Sequence, residues 1–117
     1  MRKPLALIAA LALAGVALLV PVATAGTTPT LAVTVKDNTL TPKKKTIKKG
    51  TKVTWTWKGQ TDHNVTLVTA PKGIKKSKYT STTKLKGTFV RTLSTPGKWF
   101  FVCTIHAGMQ QTLTVSK

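Results

Sequence analysis

Between Thr51 and Lys58 the chain alternates without a break. Val53, Trp55 and Trp57 fall on one face, and Lys52, Thr54, Thr56 and Lys58 on the other. A period of two marks a strand with one buried face and excludes an amphipathic helix over the same residues. The pattern recurs from Thr30 to Lys36, where Leu31, Val33 and Val35 share a face. It predicts further strands over His63–Thr69 (His63, Val65 and Leu67 together), Thr88–Leu93 after Gly87 (Phe89 and Leu93 inward), Lys98–Val102 and Thr112–Ser116. Leu40, Pro42 and Ile47 continue as one irregular or short edge strand, beside a run at Lys43, Lys44 and Lys45 that suits a solvated edge. Asp37-Asn38, Lys49-Gly50 and Ser94-Thr95-Pro96-Gly97 carry turn chemistry. Residues 70–86 are a long basic connection in which any helix would be short. No stretch has a 3.6-residue period, and there are no internal repeats. The expected fold is all-β, a Greek-key β-sandwich or barrel of about seven to eight short strands.

The first 25 residues fall outside that pattern. Arg2 and Lys3 precede an apolar run from Leu5 to Val20, Pro21 breaks it, and Ala23-Thr24-Ala25 is a small-x-small cleavage site. This is the layout of a secretory signal peptide, and the run is shorter than the roughly 20 residues a membrane span needs. Residues 1–25 are therefore read as a signal peptide and 26–117 as one domain, exported to the periplasm or the cell surface. Without Arg2 and Lys3, the chain's 19 basic residues become 17 against only Asp37 and Asp62, a formal charge of +15. Such a field favours anionic partners: an acidic protein, an anionic membrane or wall polymers. Nucleic acid is not expected, because the leader directs the chain out of the cytosol. A single domain of this size is expected to be a monomer.

Cys103 is the only cysteine, so it cannot form an internal disulfide. An intermolecular bridge, a free thiol, a packed core cysteine and a metal ligand all remain open on that fact alone. Its surroundings favour the last. His106 and Met109 follow at three-residue spacing, and the other histidine, His63, begins a different predicted strand. One thiolate, two imidazoles and one thioether form the donor set of a blue-copper site, with the methionine as a weak, long axial ligand. Soft sulfur suits Cu(I) and imidazole suits both oxidation states, so a rigidly held mixed set can serve an ion that cycles. A saturated set of this kind leaves no open position for a substrate, so an enzyme is not expected.

These residues resemble the cupredoxins, small exported blue-copper proteins that include plastocyanin, amicyanin and pseudoazurin. Val53-Thr54-Trp55 after Lys49-Gly50 is similar to the family's Gly-x-x-Val-x-Trp strand, and His63-Asn64-Val65 to its first-ligand motif. Gly97-x-Trp99-x-Phe101-x-Cys103-x-x-His106-x-x-Met109 resembles its closing strand and ligand loop, in the short form typical of amicyanin-like members. The resemblance implies a single copper ion with equatorial ligands at His63, Cys103 and His106 and an axial ligand at Met109. It also implies that the Asn64 side chain ties the first-ligand strand to the cysteine loop. An apolar docking patch around His106 would be supplied by Ile105, Ala107, Gly108 and Phe100. Ala107 and Gln111 depart from the family, standing where many relatives carry proline and glycine.

The leading functional expectation is a one-electron carrier whose lysine-rich surface steers an acidic redox partner. Two alternatives stand beside it. The same ligands could hold Cu(I) for delivery, or the chain could be a basic β-sandwich that binds a polyanionic surface without metal.

Overall fold

The two-residue alternation becomes eight strands in the computed structural model, which describes residues 26–117. The signal-peptide expectation for residues 1–25 lies outside the described residues. In chain order the strands are β1 (Thr30–Lys36), β2 (Thr39–Thr41), β3 (Lys44–Lys48), β4 (Thr51–Trp57), β5 (Thr66–Thr69), β6 (Gly87–Leu93), β7 (Gly97–Val102) and β8 (Gln110–Ser116). They form two four-stranded sheets ordered β2-β1-β4-β6 and β3-β8-β7-β5. β1 runs parallel to β4 and β3 parallel to β8, while the other neighbours are antiparallel.

The inward positions of both sheets meet in one core. Val33, Val35, Val53, Trp55 and Leu93 face Trp99, Phe101, Leu113 and Val115, all nearly or completely buried. Trp55 joins the layers: its ring lies 5.5 Å from Phe89 in its own sheet and 5.0 Å, edge-on, from Phe101 in the other. Burying each large apolar side chain contributes about 1.5–3 kcal/mol, so these rings are central to the stability of so small a domain.

Two predicted strands take a different form. The stretch from Leu40 to Ile47 is not one edge strand but two, on opposite sheets. Asp37 and Asn38 adopt φ of 42° and 66°, the mirror-image turn that folds β2 back on β1. Pro42 has no N–H with which to continue that ladder. The chain crosses to the second sheet, where the Lys43 carbonyl accepts from Thr112 N at 2.8 Å and β3 follows β8. Lys43, Lys44 and Lys45 are exposed along this free edge, as the charge run suggested.

The strand expected from His63 begins only at Thr66. The main chain of residues 63–65 is hydrogen-bonded elsewhere. His63 and Lys84 exchange N–H···O bonds of 3.0 Å, and Val65 bonds to the main chain and hydroxyl of Ser81 at 2.8 and 2.9 Å. The basic connection thus serves as a strap along the histidine segment. Its only helical part is a 3-10 turn at Lys76–Tyr79, whose tyrosine packs 4.9 Å from Trp99.

Candidate metal centre

β7 carries Cys103 to the end of the sandwich, and the loop that follows turns back at once into β8. The Cys103 N–H donates to the Met109 carbonyl at 3.0 Å, and the Met109 N–H to the His106 carbonyl at 3.3 Å. Gly108, at φ 81°, supplies the left-handed step that this tight return requires. The loop is therefore closed by its own backbone. Met109 is fully buried in it and Cys103 almost so, while His106 is partly exposed.

His63 arrives from the opposite side and is held by its main chain. Its carbonyl accepts from the Lys84 N–H and from the Trp57 indole Nε1–H, the latter at 2.8 Å. Trp57 is thus both a core residue and a tether for the histidine. Gly59 permits the close approach of the adjoining turn: a Cβ there would lie 3.1 Å from Asp37 N and 3.3 Å from His63 Nε2. The Thr61 hydroxyl stands 3.3 Å from the same Nε2. With that nitrogen occupied, Nδ1 is turned toward the cysteine.

His63, Cys103 and His106 come together as one cluster. The two Nδ1 atoms are 3.1 Å apart, and the Cys103 Sγ lies 4.0 Å from that of His63 and 3.5 Å from that of His106. A point equidistant from all three atoms is about 2.1 Å from each, within the roughly 2.0–2.3 Å at which nitrogen and sulfur donors hold a metal of this size. Burial, and next the neighbouring His106 imidazole, hold the His63 pKa below its usual 6.5; Asp37 and Asp62 partly oppose this. The neutral imidazole that results is the form a metal binds. The donor set fits copper: His63, Cys103, His106 and Met109 are positioned to bind a single copper ion.

Asn64 joins the two halves of the site. Its main-chain N–H donates to the Cys103 Sγ at 3.4 Å. Its side-chain Oδ1 accepts from Thr104 N at 3.1 Å, and its Nδ2 donates to the Thr104 and Thr83 hydroxyls at 2.8 and 3.1 Å. This is the tie expected between the histidine segment and the cysteine loop.

Gln111 was legible only as a departure in the loop. It is buried, accepting from the Trp55 indole Nε1–H at 2.9 Å and donating to the Pro42 carbonyl at 2.8 Å. Its parity with Leu113 and Val115 in β8 is the signal that could have placed it inward. The apolar patch also differs from expectation. Ile105 is 52% exposed and Ala107 and Gly108 are exposed beside His106. Phe100 is not with them; it pairs with Thr112 in mid-β7 and alternates away from the buried Trp99 and Phe101.

Comparison with known proteins agrees with this geometry. A sequence model of the cupredoxin-like domain matches residues 5–115. A pseudoazurin from Sinorhizobium is 25% identical, with 76% of this chain and 75% of that one covered and a TM-score of 0.62. Plastocyanin from Dryopteris crassirhizoma is 29% identical, with 74% and 100% covered and a TM-score of 0.57. An amicyanin variant in its oxidized form is 22% identical, with 74% and 81% covered and a TM-score of 0.63. No curated protein sequence matches the chain. With the sandwich, the donor cluster and the match over almost the whole sequence in agreement, the chain belongs to the cupredoxin-like domain family.

Proposed function

We propose that this protein is an exported blue-copper carrier of single electrons, in which His63, Cys103, His106 and Met109 would hold the copper ion. The observation that carries the reading is the triangle of His63 Nδ1, Cys103 Sγ and His106 Nδ1, with its centre at bonding distance from all three. Bound copper supplies a one-electron change between Cu(I) and Cu(II). The protein's part is to keep the donors still. The closed loop fixes Cys103, His106 and Met109, the strap and Trp57 fix His63, and the Asn64 N–H offsets negative charge on the thiolate sulfur.

Burial of His63, Cys103 and Met109 leaves His106 as the donor nearest solvent, so its ring edge is the route by which electrons enter and leave. Exposed Ile105 next to it offers apolar contact to a docking partner. The partner is a redox protein with an acidic face, drawn by the +15 charge of residues 26–117. The carrier acts as a monomer, in the periplasm or at the cell surface; among the described residues no helix is long and apolar enough to cross a membrane. With all four donors engaged, no position is left for a substrate, and the role is transfer rather than catalysis.

Partial exposure of His106 also suits delivery of Cu(I) to an acceptor protein, and one experiment separates the two roles. Cyclic voltammetry on copper-loaded protein, with a Cu(I) chelator in the cell, is expected to give a reversible one-electron wave that persists over repeated cycles. Rapid loss of the wave to the chelator would contradict the carrier and favour delivery.

A further inference from the structure

We propose that the outer face of the second sheet carries a binding groove for a flexible phosphate-bearing polymer, separate from the metal centre. An open groove of about 490 Å³ is lined by Lys44, Lys45 and Thr46 of β3, Thr112 and Thr114 of β8, and Lys98 of β7. The register explains it. Lys44 lies beside Thr112 and Thr46 beside Thr114, which in turn lies beside Lys98. These residues alternate with the buried Ile47, Leu113 and Trp99, so they present one outward row of hydroxyls with lysine on both flanks. β3 is an edge strand, which leaves the groove open on one side.

The chemistry of the lining selects the occupant. Three lysines and three threonines line the groove, and neither acidic side chain of the chain is among them. Asp37 sits in the β1–β2 turn and Asp62 in the loop before His63. Lysine attracts phosphate as a point charge, and threonine hydroxyls donate to its oxygens. The groove itself is lined by lysine and threonine, with the half-buried Phe100 beside Thr112 at its margin. A half-buried ring at the margin offers little for insertion into a bilayer or as the buried anchor of a protein partner, whereas the charged lining is open to solvent. A single small anion would be held weakly by exposed lysines, whereas a chain of phosphates engages both walls at once and releases counterions from each contact. Lys98 stands at the start of β7 and Cys103 just beyond its end, roughly 16 Å apart along the strand. A polymer in the groove would therefore hold the protein at an anionic cell surface while leaving the His106 edge free.

The test is an NMR titration of the 15N-labelled mature protein with long-chain inorganic polyphosphate at low ionic strength. The expected result is saturable shifts centred on the amides of Thr46, Thr112 and Thr114. Lys44→Gln/Lys98→Gln should weaken binding by about tenfold and lower the slope of log K against log salt by about 1.4, the loss of two phosphate contacts to a single strand. Lys75→Gln/Lys76→Gln removes the same charge from the strap and should weaken binding less than about threefold. Spectra of both variants away from the substituted sites report that the fold is kept. Equal weakening by the two variants would overturn the groove in favour of net charge alone. Shifts centred elsewhere, or tighter binding to phosphatidylglycerol vesicles or to polyglutamate than to polyphosphate, would overturn it as well.

Discussion

The carboxamide of Asn64 makes four hydrogen bonds: its Oδ1 accepts from Thr104 N and from the Thr66 hydroxyl at 2.8 Å, and its Nδ2 donates to the Thr104 and Thr83 hydroxyls. Truncation leaves the Thr104 N–H without its acceptor and frees the cysteine loop from the histidine segment. Asn64→Ala is expected to destabilise the protein by about 2–3 kcal/mol in urea unfolding and to weaken copper binding with it. An unchanged midpoint would contradict the bridging role. His63 sets a second expectation at this scale. Its folded-state pKa is below the usual 6.5, so between the two values the unfolded chain binds more protons than the folded one. The stability contributed by the neutral imidazole is full above pH 6.5 and is lost as pH falls through the folded value. Urea midpoints of the metal-free protein should therefore drop from pH 7.5 toward pH 5, and a flat profile would contradict the assignment.

Among the elements, the ligand loop and its two flanking strands were the most legible, because Gly97 to Val102 and Leu113 to Val115 alternate cleanly and the three donors lie at fixed short spacing. His63 was legible as a donor but not as part of a strap. The partners of its segment, Lys84 for His63 and Ser81 for Val65, lie in a stretch with no period at all, and such pairing has no sequence signature. The division of Leu40–Ile47 between two sheets was hidden for a similar reason: Leu40 and Ile47 both bury, and nothing in their spacing says against which layer. Gln111 shows the opposite error, where a correct parity was available and polarity hid it. Gly97 gives the scale its prediction. Its φ is 133°, and a Cβ there would lie 2.9 Å from Pro71 Cγ. Gly97→Ala should cost about 1–3 kcal/mol, seen as a lowered unfolding midpoint, because it strains the turn and displaces the start of the strap. A neutral substitution would mean that the turn and the strap do not constrain each other.

For the whole molecule, the charge is as distinctive as the copper site. Seventeen basic residues in 26–117 are opposed by only Asp37 and Asp62, so the protein approaches any acidic partner in a strong attractive field. Raising ionic strength from about 0.05 to 0.5 M should slow electron exchange with an acidic redox protein by roughly tenfold, measured by stopped flow, because the Debye length shrinks severalfold. A rate independent of salt would remove the steering role and leave the charge to surface binding. The steering role depends on the metal centre being what its geometry indicates. The most direct measurement is titration of the metal-free protein with Cu(II), followed by visible absorption and EPR, beside Cys103→Ala. The account predicts an intense blue band and a narrow copper hyperfine splitting that saturate at one equivalent and are absent from the variant. A colourless wild-type protein, or a band that survives loss of the thiolate, would contradict it.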